Sequence, residues 1–327
     1  MNCLPSDGLR DTPRAMTLAF IFPGQGSQAP GMGKSLNDAF AASREVFQEI
    51  DEALGEKLSR LIFEGPAEEL TLTANAQPAL MAVSLAAMRA LEREFRVPAS
   101  KAAFVAGHSL GEYSALAAAG ALTISDTARL LRTRGNAMQA AVPVGEGAMA
   151  ALIGKVDVAL AEEIAAKGAE AGICVVANDN NIGNVVISGS KAGIDAALAY
   201  AKEKGARAIA LNVSAPFHSP LMQPAADAMA EALASASFAP FNPALVANVT
   251  AQPVHEPATV RKLLVEQVTG RVRWRESIEW MARCGVTRFA EVGAGKQLTG
   301  MVKRNAPDAE ALALNEPGDL EAFAKTV

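Results

Sequence analysis

The chain has 327 residues, of which half are hydrophobic and a fifth are charged, and a formal net charge of −5. These values exclude an intrinsically disordered chain and predict a globular protein of about two domains. The negative charge argues against bulk binding to nucleic acid, and no apolar run reaches the roughly 18 residues that a membrane span needs. The three cysteines form no close pair, which predicts no cysteine-based metal site and fits a reducing cytoplasm.

The first part of the chain predicts an extension followed by an α/β domain. Residues 1–15 mix prolines, a glycine and balanced charges, and we predict that they form a disordered extension of a fold that begins near Met16. Short apolar runs at 18–22 and 102–106, each ended by turn-forming residues, predict buried strands, and the segment 32–94 between them predicts several helices. Strands that alternate with helices indicate a mostly parallel sheet covered on both faces.

Residues 144–213 follow a different pattern. Their predicted elements come in the order β-α-β-β-α-β, with a turn predicted at 178–181 between the second and third strands. This order is typical of a ferredoxin-like unit, and we predict a small domain inserted into a larger one made of residues 16–143 and 214–327. The rest of the larger domain is predicted to contain helices at 219–235, 257–268 and 275–283, strands at 245–249 and 287–292, and a final helix from about 295.

The strongest chemical signal is the segment Gly-His-Ser-Leu-Gly at 107–111, which fits the G-x-S-x-G pattern between a predicted strand and a predicted helix. A sharp turn there would expose Ser109 above the sheet, and glycines on either side would let neighbouring main chain approach closely. We therefore predict that Ser109 is a nucleophile and that N–H groups after it stabilise an oxyanion. The alternative is a turn that only connects strand to helix.

A serine nucleophile needs a base, and the chain has three histidines. His108 adjoins the serine, and His255 lies in a predicted surface loop. His218 follows the last strand of the small domain, where the chain returns to the large one. By elimination His218 is the predicted base, with a capping or core histidine as the alternative. No aspartate between Ser109 and His218 is a convincing triad member, so we expect a group other than an acid to orient the histidine.

A second glycine cluster, Gly-Gln-Gly-Ser-Gln-Ala at 24–29, follows the first predicted strand. It formally matches the dinucleotide fingerprint, but the acidic residues about 20 positions later lie inside a predicted helix, so nucleotide binding is the less favoured interpretation. From the residues alone we favour a loop beside the serine, with the Gln25 side chain as an amide donor to the oxyanion. A turn without a chemical role is the remaining alternative.

Three arginines, Arg129, Arg132 and Arg134, lie on the helix that follows the predicted nucleophile helix. One that faces inward could hold a carboxylate in a bidentate pair, but the spacing does not say which. Metal-binding spacings are missing from the sequence, and we expect neither a metal nor a cofactor.

Five segments occur in fixed order along the chain: Phe-Pro-Gly-Gln-Gly-Ser-Gln at 22–28, Gln-Pro-Ala-Leu at 77–80, Gly-His-Ser-Leu-Gly-Glu-Tyr at 107–113, Arg-Gly at 134–135 and Pro-Phe-His-Ser at 216–219. Together they resemble one known family, the malonyl-CoA:acyl carrier protein transacylases of the acyltransferase superfamily of fatty-acid and polyketide synthesis. The resemblance covers about residues 17–305 and implies a hydrolase-like α/β domain with a ferredoxin-like insertion. The chain departs from the family at 180–185, where it has Asn-Asn-Ile-Gly-Asn-Val and the family commonly has Asn-Ser-Pro-Gly-Gln-Val.

The resemblance also implies catalytic roles. Ser109 would be the nucleophile and His218 its base, and the main-chain carbonyl of Gln267 would orient the histidine. Leu110 and Gln25 would supply the main-chain N–H groups of the oxyanion hole, which revises the side-chain interpretation of Gln25.

For substrate binding, the resemblance implies that Arg134 pairs with the carboxylate of a malonyl group. Gln77 and Asn178 match pocket positions of the family. Phe217, just before the predicted base, would narrow the pocket against branched acyl groups.

The implied reaction is a two-step transfer of malonyl from malonyl-CoA to the phosphopantetheine thiol of acyl carrier protein, through a malonyl-serine intermediate and without a cofactor. We expect a monomer that supplies extender units for fatty-acid synthesis. Because the carrier is acidic, a basic surface should meet it, and residues 261–304 contain ten basic and four acidic residues. A serine hydrolase or thioesterase acting on acyl-CoA is the alternative, since it would use the same serine and histidine.

Overall fold

The protein, described by a computed structural model over residues 17–213 and 215–327, contains a large and a small β-sheet with helices packed against both. The predicted extension at 1–15 and the predicted start at Met16 lie outside the described residues. The strands of the large sheet are β1 (Thr17–Phe22), β2 (Phe104–Gly107), β7 (Ala244–Ala247), β8 (Gln252–Val254), β9 (Val286–Val292) and β10 (Glu310–Leu314), and those of the small sheet are β3 (Gly147–Ile153), β4 (Cys174–Asn181), β5 (Asn184–Ser190) and β6 (Arg207–Ala210).

The large sheet has the strand order β10-β9-β1-β2-β7-β8. Every pairing is parallel except that of β8, which lies antiparallel to β7 at one edge. Central β1 explains why both faces must be covered: Leu18, Phe20 and Phe22 belong to one hydrophobic core, and Ala19 and Ile21 belong to the other. Alternate side chains of a strand point to opposite faces, so a strand that is apolar throughout requires helices on both sides. The predicted mostly parallel α/β architecture is confirmed.

Helices cover both sheets. They are α1 (Lys34–Ala39), α2 (Ala41–Leu54), α3 (Leu58–Glu64), α4 (Ala67–Thr71), α5 (Thr73–Phe95), α6 (Gly111–Ala118), α7 (Ile124–Ala140), α8 (Val158–Gly168), α9 (Lys191–Glu203), α10 (Gln223–Ser235), α11 (Pro257–Thr269), α12 (Trp274–Arg283), α13 (Gln297–Asn305) and α14 (Pro317–Ala324). Among the described residues, none of these helices is both long enough and apolar enough to cross a membrane.

The small sheet is antiparallel, with strand order β4-β5-β3-β6. Its elements follow the chain order β3, α8, β4, β5, α9, β6, which confirms the predicted β-α-β-β-α-β arrangement. Helices α8 and α9 pack on one face of this sheet. The other face carries Met149, Ala151 and Val186 toward a cavity that also borders the large sheet. The exact domain boundaries at 144 and 213 stay a prediction.

Two local expectations were wrong. The predicted turn at 178–181 is the second half of β4, because Asp179 is bound by Arg275 at 2.8 Å and its main chain pairs with Val272 at 2.9 Å, which gives buried polar residues partners in a strand. The single final helix from about 295 is instead α13, β10 and α14, because the apolar run 311–314 adds a strand beside β9.

Gly107 and Gly111 show why glycine flanks the sharp turn after β2. A methyl group on Gly107 would overlap the main chain of Gly111, and one on Gly111 would overlap the carbonyl oxygen of Phe22. We predict that Gly107→Ala lowers the free energy of unfolding by about 3 kcal/mol, since main chain on both sides cannot move aside. Gly300→Ala is the matched control: it lies in α13 with open space around it, and should gain about 0.5 to 1 kcal/mol. Urea denaturation of both variants checks this, and equal stabilities would contradict it.

Candidate active site

A cavity of about 430 Å³ lies between the carboxyl ends of the parallel strands and the open face of the small sheet. Ligand sites of open parallel sheets commonly lie at this edge. The loop after β1 and the turn after β2 form one side of the cavity, and the apolar face of the small sheet forms the other. Ser109, His218, Arg134, Gln25 and Leu110 all line it. The sequence-predicted residues therefore meet in one place.

Ser109 is held in a strained turn between β2 and α6. Its φ is 53°, in the left-handed region that few residues other than glycine adopt. The side chain of Asn248, which follows β7, holds this turn with two hydrogen bonds. Its Oδ1 accepts from the Ser109 N–H at 2.8 Å, and its Nδ2 donates to the Gly107 carbonyl at 2.7 Å. This arrangement projects the Ser109 hydroxyl into the cavity.

His218 contacts the serine directly. Its Nε2 lies 2.8 Å from Ser109 Oγ, and its Nδ1 lies 2.8 Å from the main-chain oxygen of Gln267 and 3.1 Å from that of Gly270. Two carbonyl oxygens at Nδ1 require a proton on that nitrogen, which leaves Nε2 free to accept the serine proton. Main-chain carbonyls thus lie where the aspartate of a Ser-His-Asp triad would lie.

The electrostatic environment keeps His218 neutral. Burial, followed by the positive charge of Arg134 and a smaller contribution from His108, lowers the pKa of His218 to about 3. The two carbonyl hydrogen bonds act in the opposite direction. At neutral pH the imidazole is therefore the free base that a serine nucleophile needs.

Arg134 is 1 % exposed, and no carboxylate contacts it among the described residues. Amide oxygens hold its guanidinium instead: Nη1 donates to Gln77 Oε1 at 2.7 Å and Nη2 donates to Gln267 Oε1 at 2.8 Å. Nη2 also lies 3.1 Å from Ser109 Oγ. Because neutral amides do not cancel its charge, the site offers a desolvated cation beside the Ser109 hydroxyl, which suits a substrate that brings its own carboxylate.

The packing of α7 on α5 explains why Arg134 is the inward arginine. Gly135 touches the main chain of α5 so closely that a methyl group there would overlap Thr73 and Ala74. This contact brings Arg134 against Gln77 of α5. The neighbouring Arg129 is instead in an exposed ion pair with Asp126, and Arg132 binds Glu56 at the edge of the helix pair.

Gln25 and Leu110 flank the cavity at the two strand ends. The main-chain N–H groups of both have no acceptor in the described part of the chain, whereas the Gln25 side-chain oxygen accepts from Thr73 Oγ1 at 2.9 Å. The oxygen of the Gln25 side chain is therefore engaged with α5, and the two main-chain N–H groups are free to donate to a developing oxyanion. The glycine cluster that begins this loop packs against His108 rather than opening a helix as a dinucleotide site would.

The remaining predicted positions also border the cavity. Asn178 lines it from β4, and Phe217 lines it beside the histidine. His108 does not face the serine hydroxyl: its Nε2 binds Asn180 Oδ1 at 2.8 Å. His255 is exposed, away from the lining residues. A cluster of side chains able to hold a metal does not occur within residues 17–213 and 215–327.

Two site residues were missed by the sequence reasoning, Asn248 and Glu112. Asn248 follows the apolar run of β7, so its place at the carboxyl end of a strand next to β2 was a usable signal. Glu112 is part of the segment 107–113, but that pattern assigned it no role. Its Oε2 accepts from Gln267 Nε2 at 2.7 Å and from the Asn248 N–H at 3.3 Å. Burial raises the pKa of Glu112 to about 7, while these hydrogen bonds and the charge of Arg134 oppose the rise.

Comparison with known proteins places the chain in a family. Residues 19–315 match the acyl transferase domain family. The malonyl CoA-acyl carrier protein transacylase of Bacillus subtilis strain 168 is 46% identical over 312 residues, which cover 95% of this chain and 97% of that protein. The protein of the same name from Escherichia coli K12 is 44% identical over 307 residues, covering 93% and 97%.

Solved structures agree with the sequence comparison. An acyl-carrier-protein-S-malonyltransferase from Bartonella henselae superposes with a TM-score of 0.93 at 56% identity, covering 95% of this chain and 99% of that one. A malonyl-transacylase in complex with the acyl-carrier protein of a type II polyketide synthase has a TM-score of 0.91 at 38% identity, covering 95% and 100%. The chain therefore belongs to the acyl transferase domain family, within its group of malonyl-CoA:acyl carrier protein transacylases, and is an acyltransferase.

Proposed function

We propose that this enzyme transfers the malonyl group of malonyl-CoA to the phosphopantetheine thiol of acyl carrier protein, and so supplies extender units for fatty-acid synthesis. The observation that carries the proposal is the Arg134 guanidinium 3.1 Å from the Ser109 hydroxyl, buried and without a carboxylate partner in the described chain. Such a cation selects an acyl group that ends in a carboxylate. We propose that the enzyme acts in the cytoplasm, because its few, widely spaced cysteines fit a reducing compartment.

In the first half-reaction the Ser109 oxygen attacks the thioester carbonyl of malonyl-CoA. His218 Nε2 takes the serine proton as the new C–O bond forms, and the N–H groups of Leu110 and Gln25 stabilise the negative oxygen of the tetrahedral intermediate. When the C–S bond breaks, the protonated His218 returns its proton to the sulfur and CoA leaves as the free thiol. A malonyl-serine ester remains, with its carboxylate on Arg134.

The second half-reaction runs the same steps with the carrier. His218 takes the proton of the phosphopantetheine thiol, whose sulfur attacks the ester carbonyl of malonyl-Ser109. Collapse of the intermediate returns the proton to the serine oxygen and releases malonyl carrier protein. Because the two substrates bind in turn to one site, the kinetics should be ping-pong.

The function is tested by measuring where labelled malonyl groups are transferred. Radiolabelled malonyl-CoA is incubated with the enzyme in the presence and in the absence of carrier protein bearing phosphopantetheine. The proposal predicts label on the carrier and little free malonate. Rapid release of free malonate with no label on the carrier would support a hydrolase or thioesterase instead.

The low pKa of His218 makes a prediction about pH. Burial and the facing charge of Arg134 lower this pKa, so the base form persists to lower pH than the usual histidine value of about 6.5. The rate of Ser109 acylation at subsaturating malonyl-CoA should therefore stay level as the pH falls through 6.5, within about twofold. Rapid-quench measurement of acylation against pH checks this, in the wild type and in Glu112→Gln, because the Glu112 carboxyl has a pKa of about 7 and titrates in the same range. A loss of rate centred near pH 6.5 in Glu112→Gln would contradict the prediction.

We propose that the carrier docks on three exposed basic residues at or beside α13, Lys296, Lys303 and Arg304. Of the ten basic residues at 261–304, six are in ion pairs with neighbouring acidic residues, and Arg261 lies over the ring of Phe238. Lys296, Lys303 and Arg304 are exposed and have no ion pair among the described residues. All three are on or next to α13, whose Leu298 and Met301 line the active-site cavity.

Charge reversal on α13 tests this docking surface. We predict that Lys303→Glu and Arg304→Glu each raise the KM for carrier protein about 3- to 10-fold at low salt, because an acidic partner is then repelled, and that the effect shrinks at high salt. Acylation by malonyl-CoA alone should stay within about twofold. Lys202→Glu on α9 is the control, since α9 packs on the face of the small sheet away from the cavity. Equal effects from all three variants would reject the surface.

A further inference from the structure

Glu112 is a buried carboxylate beside the active site, and it has no role in the two half-reactions. It lies in the first turn of α6, three residues after Ser109, and is 1 % exposed. Its Oε2 accepts hydrogen bonds from the Gln267 side-chain amide and from the main chain of Asn248. A carboxylate with so little solvent needs a reason to be there, because burial disfavours its charge.

Gln267 joins Glu112 to Arg134. Its Nε2 donates to Glu112 Oε2 at 2.7 Å and to the Ser109 carbonyl at 3.0 Å, while its Oε1 accepts from Arg134 Nη2 at 2.8 Å. The carboxylate and the guanidinium are thus connected through one amide and do not touch each other in the described structure. The main-chain oxygen of the same residue binds His218, so Gln267 links the base and the substrate-binding cation.

An amide side chain has a donor end and an acceptor end that can exchange by rotation. In the observed orientation the donor end faces the carboxylate and the acceptor end faces the guanidinium. Rotation by half a turn would bring NH₂ against the N–H groups of Arg134 and an oxygen against the oxygen of Glu112, so both contacts would be lost. Glu112 is therefore the charged acceptor that, together with the Ser109 carbonyl, fixes which end of Gln267 meets Arg134.

Gln77, the second amide that holds Arg134, is oriented in the same way by a neighbouring acceptor. Gln77 Nε2 donates to Thr73 Oγ1 at 2.9 Å, and the opposite end of this amide accepts from Arg134 Nη1 at 2.7 Å. Two amides, each with its donor end engaged elsewhere, hold the guanidinium from two sides. A carboxylate in direct contact with Arg134 would instead compete with a substrate carboxylate.

We propose that Glu112 is a positioning residue that orients the Gln267 amide and thereby fixes the guanidinium of Arg134 for recognition of a carboxylated acyl group. This inference rests on the proposed function. It assigns to Glu112 a contribution to substrate selectivity, distinct from its support of the serine turn through Asn248. Support of the serine turn affects every acyl substrate alike. The ratio of kcat/KM values for two substrates therefore isolates the contribution to selectivity.

The test is a double-mutant cycle in which the measured quantity is the selectivity for malonyl-CoA over acetyl-CoA. Glu112→Met, Gln267→Met and the double variant are compared with the wild type for kcat/KM of Ser109 acylation by malonyl-CoA and by acetyl-CoA, which lacks the carboxylate. Methionine keeps the length and helix propensity of both residues while removing their hydrogen bonds. Glu112→Gln is the conservative variant, because its amide oxygen can still accept from Gln267 Nε2. Ser114→Ala, a buried residue of α6 whose hydroxyl has no partner in the described chain, controls for disturbance of this helix.

We expect the malonyl-to-acetyl ratio to fall at least about tenfold in Glu112→Met and in Gln267→Met, with no further fall in the double variant, because the two residues act in series. In Glu112→Gln and Ser114→Ala the ratio should stay within about threefold of the wild type. An unchanged ratio in Glu112→Met, additive effects in the double variant, or a Glu112→Gln variant as unselective as Glu112→Met would each overturn the proposal.

Two further readouts keep the test decisive. If Glu112→Met does not fold, Glu112→Leu, which also removes the acceptor, takes its place in the cycle, and retained selectivity in Gln267→Met would overturn the inference in either case. Wild-type acylation is measured first: a wild type that is not acylated by malonyl-CoA rejects the proposed function itself, whereas an acylated wild type with an unchanged ratio in the variants rejects only the role of Glu112.

Discussion

His218→Asn should slow acylation of Ser109 by malonyl-CoA about 10³-fold or more. The asparagine amide can still donate to the Gln267 carbonyl, as Nδ1 does now, but it offers no base to the serine hydroxyl. Asparagine also tolerates the left-handed backbone of this position, where φ is 55°. The variant therefore removes the proton acceptor while it disturbs the fold little.

Rapid-quench acylation with the purified variant measures this effect, and thermal melting shows whether the fold is kept. His255→Asn, an exposed histidine outside the cavity lining, is the matched control and should acylate at the wild-type rate. A His218→Asn variant within tenfold of the wild type would mean that another group takes the serine proton.

Arg134→Met should lower kcat/KM for malonyl-CoA by about 10² to 10³-fold and leave that for acetyl-CoA the same or higher. The guanidinium is desolvated, and a substrate carboxylate buried without it would lose its only facing cation within the described cavity. Breaking such a pair commonly costs about 3 to 5 kcal/mol. Because Arg134 lacks a direct carboxylate partner in the described chain, the same substitution should also raise the melting temperature of the free enzyme.

Arg129→Met controls for the loss of an arginine from the same helix, since Arg129 is in an exposed ion pair with Asp126. It should change neither the selectivity nor, within about 0.5 kcal/mol, the stability. An Arg134→Met variant that loses malonyl-CoA and acetyl-CoA activity in equal proportion would show that the arginine supports the serine and does not recognise the carboxylate.

Much of the fold could be predicted because the local patterns were strong. The apolar run of β1 and the β-α-β-β-α-β order of 144–213 identified both sheets. The short edge strand β8 and the alternation of β10 and α14 gave no pattern long enough to separate strand from helix. The end of β4 was predicted as a turn because asparagine and aspartate favour turns, and only the tertiary partner of Asp179, Arg275, makes a strand favourable there.

In the site, too, some residues could be predicted from the sequence and others only from the structure. Ser109 is marked by its flanking glycines, and His218 by elimination among three histidines. The inward position of Arg134 depends on the close approach of α7 to α5 at Gly135, which helical spacing does not encode. The orienting group on His218 is a main-chain carbonyl, and since every residue has one, only family resemblance could point to Gln267. The role we infer for Glu112 needed the hydrogen bonds themselves.

The central claim is that Ser109 carries the malonyl group as an ester during the reaction. Mass spectrometry of the intact protein after brief exposure to malonyl-CoA tests it most directly, with Ser109→Ala treated in parallel. We predict that the wild type gains the mass of one malonyl group, loses it when carrier protein with phosphopantetheine is added, and that Ser109→Ala gains nothing. Equal labelling of the two proteins, or a wild type that transfers malonyl without ever becoming labelled, would contradict this account.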